Sequence, residues 1–244
     1  MPCWSAGHDL ETIPYPLASK ADLEETVALV EAEDRRVLAI ESDVREQPSL
    51  DAAVSVGLAE FDHIDIVSAN AGVFSFASVH EMPEAQWGEL LDVNLSGVWR
   101  TVKAVIPSMI QAGRGGSLIL TSSTAGAKGF PNFAHYTASK HGVIGLMRSL
   151  VQELSQHGIR VNCVLPTSAR TPQVMNDAVY KLFRPDLDQP ELEDTLELFQ
   201  AINTLPVDLI EASDVSNAVL WLASDEARYV TGVALPVDAG ALTK

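Results

Sequence analysis

Tyr136, Lys140 and Ser123 have the residue types and spacing for proton transfer at an alcohol or carbonyl carbon. In Tyr136-Thr137-Ala138-Ser139-Lys140 the phenol and the amine lie four positions apart, and on a helix that spacing puts both on one face. An ammonium beside a phenol favours the phenolate, lowering a pKa that starts at about 10 toward the range of a useful general base. The doublet Ser122-Ser123 lies upstream, so a hydroxyl from a separate strand end could bind the same substrate oxygen. Tyr-x-x-x-Lys alone also marks many ordinary exposed helix turns, so its meaning depends on its surroundings.

Such a trio needs a sheet that gathers strand ends. From residue 20 helical and extended patterns alternate, which predicts a parallel sheet with crossover helices, a doubly wound α/β fold. Asp22 to Glu33 predicts a helix with Leu23, Val27 and Val30 on one stripe, and Val37 to Ile40 a short strand ending at Glu41-Ser42-Asp43. A helix from about Pro48 to Glu60 carries Leu50, Val54 and Leu58, and a strand at Ile64 to Val67 runs into Asn70-Ala71-Gly72. Pro83 to Ile110 reads as one long helix with Trp87, Leu91, Val98, Val102, Val105 and Met109 at helical intervals, ended by Gly113. Leu90, Leu95, Trp99 and Ile106 widen its apolar stripe enough to cover the sheet and a second subunit. Ser117 to Thr121 predicts the strand that delivers Ser122 and Ser123, Ala134 to His157 the helix bearing Tyr136 and Lys140, and Arg160 to Leu165 another strand.

Beyond Pro166 the alternation fails until about Ile210, and an excursion from a strand's carboxyl end is where a substrate lid belongs, here over residues 167–210. Met175, Val179, Tyr180, Leu182, Phe183 and Phe199 either line an apolar pocket or pack this insertion on the core. Ser213 or Asp214 caps a last helix with Val215, Val219 and Leu222, and Val233 to Val237 closes with a strand.

Composition narrows the function. With 244 residues, 47% of them hydrophobic, and no low-complexity tract, a single domain over residues 1–244 is expected. Sixteen basic against 33 acidic side chains give a net charge of -17, which argues against nucleic acid or an anionic membrane as partner. Cys3 and Cys163 are the only cysteines, and the six histidines include no His-Glu-x-x-His, so neither a disulfide framework nor a metal site is expected. No apolar run approaches the roughly 20 residues of a membrane span, and Met1-Pro2-Cys3-Trp4 opens no signal peptide; a cytoplasmic protein is expected.

Asn70-Ala71-Gly72, Asn94 within Asp92-Val93-Asn94-Leu95-Ser96-Gly97, Ser122-Ser123 and Tyr136 to Lys140 occur in the order and at the separations of the short-chain dehydrogenase/reductase family, which the chain resembles from about residue 18 to its end. Thr12-Ile13-Pro14-Tyr15-Pro16-Leu17-Ala18, Leu182-Phe183-Arg184-Pro185-Asp186-Leu187 and Ala227-Arg228-Tyr229-Val230-Thr231-Gly232 resemble a narrower carveol-dehydrogenase-like, mycofactocin-associated branch. The resemblance implies a Rossmann-like sheet and a nicotinamide-dependent interconversion of a secondary alcohol and a ketone on an apolar, terpenoid-like small molecule. It implies NAD as cofactor, by branch analogy and with NADP left open, and a homo-oligomer, a tetramer by the family pattern.

It also implies roles. Tyr136 takes the hydroxyl proton, Ser123, thirteen residues before it, polarises the substrate oxygen, Lys140 holds the nicotinamide ribose, and Asn94 anchors a water in a proton relay. Asp43 and Val44 match the adenine-contacting position, Asn70, Ala71 and Gly72 the cofactor loop, and Thr171, five beyond Pro166, the contact to the nicotinamide carboxamide. The family usually has Pro-Gly after its sixth strand, where this chain has Pro166-Thr167.

A larger departure lies at the start. The family begins with a strand, a Thr-Gly-x-x-x-Gly-x-Gly turn, a helix and a second strand, and residues 1–18 are expected to form an irregular segment supplying none of these. That turn is the main anchor for the cofactor diphosphate. The missing strands belong between those at Val37 to Ile40 and Ile64 to Val67. At about 4.8 Å per strand these two would stand roughly 14 Å apart, so either the early strand slides in to pair with the later one or an aggregation-prone cleft persists. Two readings follow: a dehydrogenase, with more coding sequence upstream of Met1, or a homologue deficient in cofactor binding that acts only as a non-catalytic oligomer subunit.

Overall fold

Leu118, Ile119 and Leu120 are fully buried in succession, as a strand covered on both faces requires. The structure, a computed structural model, describes Cys3–Trp4 and residues 10–244. Along the chain these form β1 (Cys3–Trp4), α1 (Lys20–Ala32), β2 (Ile40–Glu41), α2 (Gln47–Phe61), β3 (Ile66–Ala69), α3 (Glu84–Leu91) and α4 (Gly97–Ala112). There follow β4 (Gly116–Thr121), α5 (Ala134–Leu154), β5 (Ile159–Pro166), α6 (Asp177–Phe183), α7 (Leu196–Ile202), α8 (Ala212–Ala223) and β6 (Ala234–Val237).

The main sheet is parallel in the order β3-β4-β5-β6. Side chains alternate across it. Leu118, Leu120, Val161 and Cys163 join Val98, Val102, Val105 and Met109 of α4 and Val143, Met147 and Leu150 of α5 in the largest core cluster. Ile119 and Val164 point the other way and pack with Val215, Val219 and Leu222 of α8. Helices on both faces make the sheet doubly wound, as expected. Asn162, fully buried, satisfies its amide by donating to the Val230 carbonyl at 2.9 Å and accepting the Val233 N–H at 3.1 Å.

The long helix expected over Pro83 to Ile110 is interrupted. Between α3 and α4 lies one π-helical turn, Asp92–Ser96, centred on Asn94. Gly113 ends α4 in the left-handed region at φ 63°, where a side chain would be strained. Trp87 and Trp99 are exposed by 40% and 46%, so neither belongs to the core stripe of this chain. The last helix begins at Ala212 with Glu211 at its cap, and Asp214 closes a capping box instead of standing at the cap.

The expectation of an irregular segment over residues 1–18 is corrected at Cys3–Trp4 alone; residues 10–18 lie in no helix or strand. Cys3–Trp4 forms a strand, β1, which pairs in parallel with β2, so part of the strand structure expected to be missing is present. An unpaired β2 would leave its backbone groups without partners, and β1 supplies them. β2 therefore does not slide across to β3. Among the described residues no strand pairs the outer edge of β3, and Ile66 on that strand is 53% exposed. α1, held at its start by a Ser19–Asp22 capping box, contributes no buried residue.

In the excursion after β5, α6 and α7 pack on one another. Val179, Phe199 and Leu209 are buried there, with Phe183 against Phe199 at 4.5 Å between ring centroids. Of the six apolar residues noted in the sequence, Val179, Phe183 and Phe199 thus form the insertion's own core. Ala169 and Ile210 meet in a parallel bridge that ties the two ends of the excursion together.

Candidate active site

Parallel strands deliver their carboxyl ends to one rim, and the candidate residues follow β3, β4 and β5 there: Asn70-Ala71-Gly72, Ser122-Ser123 and Pro166. α5 begins two residues before Tyr136, which places Tyr136 and Lys140 on its first turns, facing the end of β4. The two serines separate in role. Ser122 donates to the Lys140 carbonyl at 2.9 Å and so fastens α5 to the sheet. Ser123 caps a short 3-10 turn by accepting the Ala125 N–H at 3.1 Å, and its side chain hydrogen-bonds the Tyr136 phenol.

Lys140 is 3% exposed and its ammonium donates to the Thr121 carbonyl at 3.0 Å. The same nitrogen stands 5.6 Å from the centre of the Tyr136 ring. Burial pulls the Lys140 pKa down to about 8. Burial also raises the Tyr136 pKa above its ordinary value, and the Ser123 hydrogen bond offsets this only in part. The expected depression of the phenol by Lys140 is therefore not what this geometry gives: desolvation outweighs other effects, and the ammonium sits over the ring with a carbonyl as its partner.

Asn94 is fully buried, and the π turn aims its amide at the loop after β3. Its oxygen accepts the Val73 N–H and its nitrogen donates to the Val73 carbonyl, both at 2.7 Å. Gly72 lies between Asn94 and Lys140: a Cβ there would stand 3.3 Å from Asn94 Oδ1 and 3.5 Å from Lys140 Nζ. Asn70 accepts from the Thr121 hydroxyl at 2.9 Å, which joins the ends of β3 and β4. Asn94, Gly72, Lys140, Tyr136 and Ser123 thus form one constellation.

The remaining candidates lie around it. Val44 is buried with Leu50, Val73 and Val93, so its side chain serves packing. Burial works against ionising Asp43, but Arg45 forks onto both carboxylate oxygens and the balance holds its pKa below the usual value. Pro166 ends β5, and Thr171 turns its hydroxyl to the Ala169 carbonyl at 3.4 Å, apart from the constellation.

Aromatic rings around the phenol had no sequence signature. Phe74 meets the Tyr136 ring edge-on, with centroids 5.1 Å apart and planes at 88°, and touches Phe133 at 4.9 Å. Tyr15 accepts the Phe74 N–H at 2.8 Å. Beside them, His135 shares a 2.8 Å hydrogen bond with Ser75. Tyr15 belongs to a stretch already noted in the sequence, but its contact with residue 74 depends on the fold. No group of three or more His, Cys, Asp or Glu side chains suits a metal among the described residues. Among them no helix is long and apolar enough to cross a membrane.

Residues 16–242 match the family model described as enoyl-(acyl carrier protein) reductase. The chain is 45% identical over 238 residues to (-)-trans-carveol dehydrogenase of Rhodococcus erythropolis, across 97% of this chain and 86% of that protein. It superposes on the crystal structure of carveol dehydrogenase from Mycobacterium avium in complex with NAD with a TM-score of 0.95 at 51% identity, covering 97% of this chain and 86% of the other. The NAD-bound short chain dehydrogenase of Mycobacterium paratuberculosis gives a TM-score of 0.88 at 40% identity, covering 98% and 86%. The chain belongs to the short-chain dehydrogenase/reductase family, on its carveol-dehydrogenase-like branch.

Proposed function

We propose that the protein is an NAD-dependent oxidoreductase that interconverts secondary alcohols and ketones on apolar, terpenoid-like molecules. The observation that carries this reading is the Asn94, Ser123, Tyr136 and Lys140 constellation around Gly72. The names of the Rhodococcus and Mycobacterium relatives support the cofactor and the substrate class.

Tyr136 takes the proton from the substrate hydroxyl, while Ser123, bonded to the same phenol, orients and polarises the substrate oxygen. Lys140 adds a positive charge beside the phenol, and at neutral pH, below its pKa of about 8, the charge is present. Asn94 fixes the loop after β3 through two hydrogen bonds, and this sets Gly72 against Lys140.

The residues fit the nicotinamide end of the cofactor. The bare Cα of Gly72 leaves open the space in front of Lys140, and Lys140 has three N–H donors, of which one is used on Thr121. Two remain for ribose hydroxyls. Bound NAD would accept a hydride from the carbinol carbon. Pro166 and Thr171 would hold the carboxamide, with Asn70, Ala71 and Gly72 as the cofactor loop. Asp43 and Val44 would contact the adenine; the Asp43 carboxylate is paired with Arg45. We infer that residues 167–210 form a lid, because α6 and α7 pack against Phe74 beside the phenol.

The deciding experiment follows NADH formation with a panel of cyclic terpenoid alcohols, alongside calorimetric titration of the 244-residue chain with NAD. Turnover that falls by about 10²- to 10⁴-fold in Tyr136→Phe is expected. The absence of both NAD binding and Tyr136-dependent turnover would overturn the reading in favour of the non-catalytic subunit.

A further inference from the structure

Residues 10–17 form a strap across the loop that follows β3. Leu10, Ile13 and Leu17 pack on the cluster of Val44, Leu50, Val73 and Val93. The carboxylate of Glu89 on α3 accepts the backbone N–H groups of Glu11 and Thr12, at 3.1 and 3.0 Å, and the Thr12 hydroxyl as well. Held at these points, the strap delivers the hydroxyl of Tyr15 to the backbone N–H of Phe74 at 2.8 Å. The Phe74 ring meets the Tyr136 ring edge-on at 5.1 Å, and its other neighbours, Phe133 at 4.9 Å and Phe76 at 6.1 Å, close the sides of the same aromatic group. Two contacts in series therefore link Tyr15 to the phenol.

We propose that Tyr15 is a positioning residue for Tyr136: its hydroxyl pins the Phe74 amide, and the Phe74 ring fixes the orientation in which the phenol meets Ser123. The inference rests on Tyr136 being the proton acceptor. The electrostatics agree with the geometry. Burial, opposed by the Phe74 N–H and reinforced by the nearby Tyr136 charge, raises the Tyr15 pKa, which keeps the Tyr15 hydroxyl neutral. Replacing it by phenylalanine keeps the ring and its packing but leaves the Phe74 N–H without its acceptor. An edge-to-face pair holds a ring orientation only while both rings are anchored. Small displacements of a reacting group cost large factors in rate.

Tyr15→Phe is expected to lower kcat on the order of tenfold while KM for NAD stays within about twofold. Phe74→Leu, which leaves the hydroxyl in place but removes the ring edge, is expected to do the same. In the double variant the losses should not multiply, because both changes break one chain of contacts. A second readout needs no turnover. The protein has four tyrosines, few enough for ring-labelled tyrosine NMR to separate, with the Tyr136 signal identified by its loss in Tyr136→Phe. In Tyr15→Phe the Tyr136 ring resonance should move in the direction it moves in Phe74→Leu, as the ring current of Phe74 shifts. A Tyr136 resonance unmoved in Tyr15→Phe, or rate losses that multiply in the double variant, would overturn the proposal. Absence of turnover in the unmodified protein would instead count against the dehydrogenase reading, and the NMR comparison would still decide the role of Tyr15.

Discussion

Lys140 is an ammonium with 3% exposure and one protein acceptor, so it weakens the fold to serve the site. Its folded pKa of about 8 lies below the ordinary lysine value, so the folded state prefers the neutral amine. Below about pH 8 both folded and unfolded chains carry the proton and the penalty is full; between about 8 and about 10.4 only the unfolded chain does, so stability rises with pH. Lys140→Met is expected to gain stability on the order of 3 kcal/mol at neutral pH, to flatten that alkaline rise, and to lose activity; urea unfolding across pH together with turnover checks all three. Of this the sequence showed the Tyr136 and Lys140 face but not the sign of the phenol's shift. Spacing reports proximity, whereas desolvation depends on which other chains cover the pair.

At the scale of elements, the position of Asn94 within a helical run was legible, and the π turn was not. That turn depends on the Val73 backbone, 21 residues away, whose N–H and carbonyl the Asn94 amide takes. Between α3 and α5 a second polar contact is buried: His135 bonds Ser75, and Gln86 of α3 donates to the same Ser75 hydroxyl at 3.2 Å. Burial depresses the His135 pKa to about 4, so the ring stays neutral in the fold. As pH falls below about 6.5 the unfolded chain takes up a proton that the folded chain refuses until about 4, and stability is lost through that window. His135→Leu is expected to remove about one proton from this acid slope, read as a shallower fall in unfolding free energy between about pH 6.5 and 4. An unchanged slope would assign the acid sensitivity to the carboxylates.

Over the whole molecule, large apolar side chains remain outside the cores. Leu220 and Trp221 on α8 are 68% and 41% exposed, Tyr229 beyond it 89%, and Trp99 on α4 46%. Patches of this kind on a chain with net charge -17 are expected to be covered by further copies of it. Sedimentation velocity should find a homo-oligomer, the expected state being a tetramer, and Leu220→Asp with Trp221→Asp should lower its mass; a monomer at all concentrations would refute this. By itself the sequence determined the alternation of strands and helices, the residues at the rim and the family, because apolar periodicity and side-chain chemistry are local properties. Only the tertiary structure decided that β1 pairs with β2, that Phe74 and Tyr15 back the phenol, and that burial governs the pKa values of Tyr136 and Lys140. These depend on which distant segments meet, and the pattern of any one segment does not encode its partners.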